Sequence, residues 1–215
     1  TICYGMTETA PVSVQSSTSD LVERRVGTVG RVHPHLEIKI VDENGKVVPR
    51  GKLGELCVRG YSVMLGYWED NDKTQEVIDV AKWMHTGDIA EMDEEGFVKI
   101  KGRIKDVVIR GGENLFPKEI EDFLYTHPDV SDVQVIGLPD PRYGEELCAC
   151  IILHEHHQIN EEAIRQYCAE HISHNKVPRY VRFFTEFPMT ASGKAQKFKL
   201  QELMRQELNL LEDIA

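Results

Sequence analysis

Gly102-Arg103-Ile104-Lys105-Asp106 is the stretch at which this chain changes character, a charged break between two different hydrophobic patterns. Upstream, Leu36 to Val41 and Gly54 to Arg59 alternate apolar with polar residues, the period-2 signature of half-buried strands. Ile89 to Met92 and Phe97 to Gly102 predict a hairpin around Asp93-Glu94-Glu95-Gly96, and Lys73 to Val80 predicts a short helix. Downstream, strands and helices alternate. Val107 to Arg110 is a predicted strand, Gly111-Gly112 a turn, and Pro117 the first residue of a helix whose Ile120, Phe123 and Leu124 face a core. Val133 to Leu138 and Leu147 to Leu153 are continuously apolar, as strands buried on both faces are. Glu161 to Ile172 predicts a second helix capped by Asn160, with Ile164, Tyr167, Cys168 and His171 on one face. Val181 to Phe184 predicts a last strand. A terminal helix follows, with the stripe Phe198, Leu200, Leu203, Met204, Leu208, Leu211. The expected fold class is α/β (α+β): a β-rich part over residues 1–104, then a small α/β domain over 105–215 with a short sheet flanked by helices.

Composition narrows the function. The 215 residues are 41% hydrophobic and 28% charged, ordinary for a globular protein, and 25 basic against 36 acidic residues leave a net charge of -11. That balance argues against a general nucleic-acid or anionic-membrane surface, so any phosphate site must be local. No apolar run approaches the roughly 18 residues of a membrane span, and no signal peptide is visible. Cys3, Cys57, Cys148, Cys150 and Cys168 lack zinc-type spacing and read as reduced core thiols; His154, His156 and His157 read as solvated loop residues. A first residue that is threonine suggests a fragment of a longer polypeptide.

Four motifs carry chemistry. Tyr4-Gly5-Met6-Thr7-Glu8 joins an aromatic face for a planar base, a hydroxyl that can donate to phosphate and a carboxylate that can hold Mg²⁺; a polar strand end would look the same. Trp83-Met84-His85-Thr86-Gly87-Asp88 places a carboxylate after a tight turn and before a strand, able to accept two ribose hydroxyls or merely to satisfy turn amides. Arg103 can fork onto a ribose or phosphate, Lys105 can act as a pivot, and Arg110-Gly111-Gly112-Glu113 suggests a backbone channel too narrow for side chains. Ser192-Gly193-Lys194 is a small-residue turn capped by Ser192 that aims one lysine outward; it is either an ordinary surface turn or a mobile cation for an anionic centre.

Taken in order, these motifs resemble the C-terminal third of the AMP-forming acyl-CoA synthetases of the adenylate-forming superfamily. Gly60 to Trp68 and Gly144 to Cys150 are most similar to the medium-chain enzymes of the family-member-2 type. The resemblance implies a two-step reaction in which a fatty acid and ATP give an acyl-adenylate, which the thiol of CoA then converts to the thioester. It implies that Tyr4 packs on adenine, with Gly5 and Met6 beside it, that Thr7 contacts the α-phosphate and that Glu8 binds Mg²⁺. It further implies Asp88 and Arg103 at the ribose, Lys194 in adenylation, Lys105 as a domain hinge and Arg110 to Glu113 along the CoA channel. The same motifs serve aryl-acid CoA ligases, and a non-catalytic nucleotide- or CoA-binding module is the reading from another class. The family's phosphate loop and acyl pocket would precede Thr1, so the chain is expected to depend on that missing part and to be inactive alone. Cytoplasm and mitochondrion both stay open.

Overall fold

Alternation of side chains across strands decides the architecture. The computed structural model describes residues 1–191 and 193–210, which divide into two compact units, one up to Lys105 and one from Asp106. The proposed cap Ser192 and the stripe residue Leu211 lie outside the described residues.

In the first unit, β1 (Cys3–Tyr4), β2 (Val14–Gln15) and β3 (Arg31–Val32) make a small antiparallel sheet. A short helix, α1 (Val22–Gly27), lies between β2 and β3. A second antiparallel sheet has the order β4 (Leu36–Val41), β5 (Gly54–Gly60), β6 (Met84–Met92), β7 (Val98–Arg103). Val14, Ile40, Leu56, Ala90 and Val98 form the shared core, and a Gly30–Val98 bridge ties the two sheets. The helix α2 runs over Asn71–Val77, earlier than the predicted Lys73 to Val80, because the Asp70 carboxylate accepts from Lys73 N and Ile78 turns extended to bridge Met84.

The second unit is a three-layer arrangement. Its sheet has the order β10 (Val130–Asp140), β11 (Gly144–Leu153), β8 (Val108–Arg110), β9 (Glu113–Leu115), and β12 (Tyr180–Phe183) runs parallel to β11. Leu147, Ala149 and Ile151 point to one face, against Ile120 and Leu124 of α3 (Pro117–Leu124) and Ile164 and Cys168 of α4 (Glu161–His171). Cys148 and Cys150 point to the other, against Leu200 and Met204 of α5 (Lys197–Glu207). Burial on both faces is why β10 and β11 carry unbroken apolar runs, each fully buried Leu or Ile contributing about 1.5–3 kcal/mol. Asn160 caps α4 through Ala163 N at 2.9 Å. The α5 stripe is narrower than the sequence implies: Phe198 is 62% exposed and Leu203 47%.

Candidate active site

β6 begins at Met84, so Thr86-Gly87-Asp88 lies within a strand instead of before one, and the register explains its shape. Glu55 pairs with Ile89 and Cys57 with His85, so β6 carries an irregular bulge opposite Leu56. Thr86 Oγ1 donates to Leu56 O at 2.7 Å and accepts from Asp88 N at 3.1 Å. Glu55 closes the bulge: its Oε1 accepts from Gly87 N at 2.9 Å, while its Oε2 lies 2.7 Å from His85 Nδ1. The bulge re-aims Asp88, which is buried.

Three of the motif residues meet there. Tyr4 Oη donates to Asp88 Oδ2 at 2.6 Å, and Arg103, paired with Asp88 across β6 and β7, donates from Nε to Oδ1 at 3.0 Å. Burial, with the Asp88 carboxylate beside it, pushes the Tyr4 phenol far above its ordinary value, so it stays a donor. Each carboxylate oxygen has two acceptor positions, which leaves one on Oδ1 and one on Oδ2 for a vicinal diol.

Met6 caps a single 3₁₀ turn, Thr7–Thr9, with Met6 N donating to Thr9 Oγ1 at 3.2 Å. Thr7 is exposed on it. Glu8 is half-buried, and its Oε1 accepts from Tyr67 Oη at 2.9 Å. A Cβ on Gly5 would fall 1.7 Å from Pro11 O, so the glycine is demanded by the chain's own backbone and not by a ligand. A cavity of about 530 Å³ opens on Glu8, Glu55, Thr86, Gly87, Arg103 and Lys105. A second cavity, about 670 Å³ near Leu21, Arg24 and Phe97, holds none of the motif residues. Lys105 is exposed, in the 3₁₀ turn Ile104–Asp106.

In the second unit, Gly111 and Gly112 have φ of 60° and 85°, the backbone of a two-residue hairpin turn between β8 and β9. Among the described residues, nothing beyond its chain neighbours comes within 4 Å of a Cβ placed on Gly112, so its positive φ in the turn is what favours glycine there. Arg110 is committed: its Nε lies 2.9 Å from Glu146 Oε2 and its Nη1 donates to Asn175 O at 2.8 Å. Glu113 accepts from Asn175 Nδ2 at 2.5 Å. Lys194 sits in a turn closed by Gly193 N to Thr190 O at 3.0 Å and Lys194 N to Thr190 Oγ1 at 3.0 Å. Its side chain is exposed and has no ion pair among the described residues. Lys197 contrasts with it, its Nζ donating to Glu121 Oε1 at 2.6 Å and to Val135 O at 3.1 Å.

Residues 1–68 match the AMP-binding enzyme family, and residues 119–194 match the AMP-binding enzyme C-terminal domain. The chain belongs to the AMP-binding enzymes. The mitochondrial medium-chain acyl-CoA ligase ACSF2 of Bos taurus is 54% identical over 97% of the chain and 34% of that protein. The putative acyl-CoA synthetase YngI of Bacillus subtilis is 50% identical over 98% of the chain and 38% of that protein. Among solved structures, ATP-bound MatB from Rhodopseudomonas palustris superposes with a TM-score of 0.88 at 34% identity, covering 95% of the chain and 40% of MatB. The o-succinylbenzoate CoA synthetase of Bacillus subtilis, in complex with its acyl-adenylate, gives 0.86 at 31% identity over 93% of the chain and 40% of the synthetase. The chain thus spans about a third of the length of the curated relatives it matches.

Sequence reasoning missed Glu55, Tyr67 and Glu146, the partners that hold Gly87, Glu8 and Arg110. The available signal was an acidic residue inside an otherwise apolar strand pattern, Glu55 in Gly54 to Val58 and Glu146 before Leu147.

Proposed function

We propose that this chain supplies the ribose site and the adenylating lysine of an AMP-forming acid–thiol ligase, with a medium-chain fatty acid as the acid. The observation that carries the reading is Asp88, gripped by Tyr4 and Arg103 on separate oxygens, with one acceptor position left on each for a ribose diol. Identity of 54% to a medium-chain ligase favours that acid over the aryl acids named for the o-succinylbenzoate and anthranilate enzymes at 31% and 33%. A mitochondrial setting fits the ACSF2 relatives, whereas the YngI relative is bacterial.

ATP is the first substrate and CoA the second. Tyr4 packs its ring on adenine while its hydroxyl holds Asp88, and Gly5 and Met6 lead into the turn that places Thr7 at the α-phosphate. Glu8 fits Mg²⁺, because the ion takes one or two carboxylates and completes its shell with phosphate and water oxygens. One Glu8 oxygen is fixed by Tyr67, and the carboxylate faces the cavity. Bound there, Mg²⁺ would neutralise phosphate charge.

Attack of a carboxylate on the α-phosphorus brings two anions together, so a cation at the developing bond gains most in the transition state. At about 4 Å and an effective dielectric near 20, one such contact is worth roughly 4 kcal/mol before desolvation. Lys194 suits this, being exposed and without an ion pair among the described residues, where Lys197 is paired. Thioester formation needs no such cation but needs a path for a long thiol. Rotation about Lys105, exchanging Lys194 for the Gly111-Gly112 turn and Glu113, meets both demands. Arg110 acts from behind, fixing that hairpin to Glu146.

Carboxylate-dependent pyrophosphate release by the full-length enzyme tests this. Asp88→Ala is expected to raise the KM for ATP by roughly 10- to 100-fold, the worth of a charge-assisted bond pair. An unchanged KM for ATP would remove Asp88 from the ribose site.

A further inference from the structure

We propose that Glu55, Cys57 and His85 form a binding site for a borderline-soft divalent cation of the zinc class, directly behind the Thr86–Asp88 bulge. The placement follows from the strands. Glu55 and Cys57 are two apart on β5, and His85 is the cross-strand partner of Cys57 on β6. One ligand atom from each residue lies within 4.8 Å of the others.

The spacing suits a tetrahedral ion. Bond lengths of about 2.3 Å to sulfur and about 2.1 Å to nitrogen, at a tetrahedral angle, put those donors about 3.6 Å apart. Cys57 Sγ and His85 Nδ1 are 3.6 Å apart. Glu55 Oε2, at 2.7 Å from Nδ1, has to swing out by about 0.7 Å to reach its tetrahedral place. The carboxylate is already oriented, since its other oxygen holds Gly87 N, as the outer shell of a metal site orients a ligand.

Three protein donors leave a fourth position, and its direction is set by exposure. Cys57 is fully buried, whereas the Glu55 and His85 side chains keep 18% and 29% of their surface and line the 530 Å³ cavity. Solvent in that cavity gives the ion its entry and its fourth ligand. A sulfur and an imidazole nitrogen select against Mg²⁺ and Ca²⁺, which take oxygen donors. On capture the Cys57 thiol proton goes to solvent and the proton of His85 moves to Nε2, so the site gains two positive charges and loses one proton.

Co²⁺ is the probe, added to the 215-residue chain after chelation and in the presence of excess Mg²⁺, a readout that needs neither nucleotide nor acid and so stands apart from ligase activity. One Co²⁺ per chain is expected, with thiolate-to-cobalt absorption and tetrahedral visible bands, both bleached by an equivalent of Zn²⁺. The signal should survive Cys3→Ser, disappear in Cys57→Ser and Cys57→Ala, and weaken in affinity by more than about 10- to 100-fold in His85→Gln. No thiolate band in the Cys3→Ser chain, or a band that persists without Cys57, overturns the proposal. Should the Cys57 variants unfold, the Cys3→Ser and His85→Gln chains decide it.

Discussion

Replacing Glu55 should loosen the strand bulge that presents Asp88, and the size of the effect follows from its contacts. Glu55 accepts from Gly87 N at 2.9 Å and meets His85 Nδ1 at 2.7 Å, with its side chain only 18% exposed. A bond to a charged group contributes about 1.5–3 kcal/mol, and two on one carboxylate do not add fully. Glu55→Ala is therefore expected to destabilise the first unit by about 2–3 kcal/mol. Glu55→Gln keeps an oxygen for Gly87 N and offers an amide proton to the other His85 tautomer, so it should cost less than about 1 kcal/mol. Urea unfolding with a chelator present reads this cleanly, because both tryptophans, Trp68 and Trp83, lie in the first unit and their fluorescence reports that unit. At a typical slope of about 1–3 kcal/mol/M, the alanine variant should lose about 1–2 M of midpoint. An alanine variant within about 0.5 kcal/mol of the parent, or a glutamine variant as weak as the alanine one, would show that the carboxylate does not hold the bulge.

Lys197→Met should destabilise the second unit by about 1–3 kcal/mol, by leaving Glu121 only 13% exposed and without its cation, while Lys194→Ala changes stability by less than about 0.5 kcal/mol; circular dichroism melts of the two variants separate the cases. Under native conditions a disulfide-exchange reagent should titrate Cys3 alone. Cys57, Cys148, Cys150 and Cys168 are buried, and burial, with Glu55 beside it, pushes the Cys57 thiol up to about 12, so these four react only on unfolding. More than one fast thiol would contradict the packing.

Much of the fold could be read from periodicity because the deciding forces are local or repeat along the chain. Leu36 to Val41 forms β4 over that same range, Pro117 opens α3, and Asn160 caps α4. Strand ends were less legible: β10 runs from Val130 to Asp140, past its apolar centre, because the β10–β11 hairpin pairs its polar ends too. β9 escaped notice because Glu113 and Asn114 look like loop, and only the turn at Gly111-Gly112 brings them against β8. The site divides in the same way. Tyr4, Asp88 and Arg103 stand out by type and motif, yet their convergence rests on Glu55, some thirty residues from the bulge it closes. Arg110 reads as part of a channel motif until β11 brings Glu146 beneath it.

The role of Lys194 is tested most directly by separating the two half-reactions in the full-length enzyme. Lys194→Ala should lower carboxylate-dependent pyrophosphate release by about 10²- to 10³-fold, the usual loss for one charge-stabilising donor. Given preformed acyl-adenylate and CoA, the same variant should form thioester at close to the parent's rate. Equal losses in both half-reactions, or undiminished adenylation, would contradict the account.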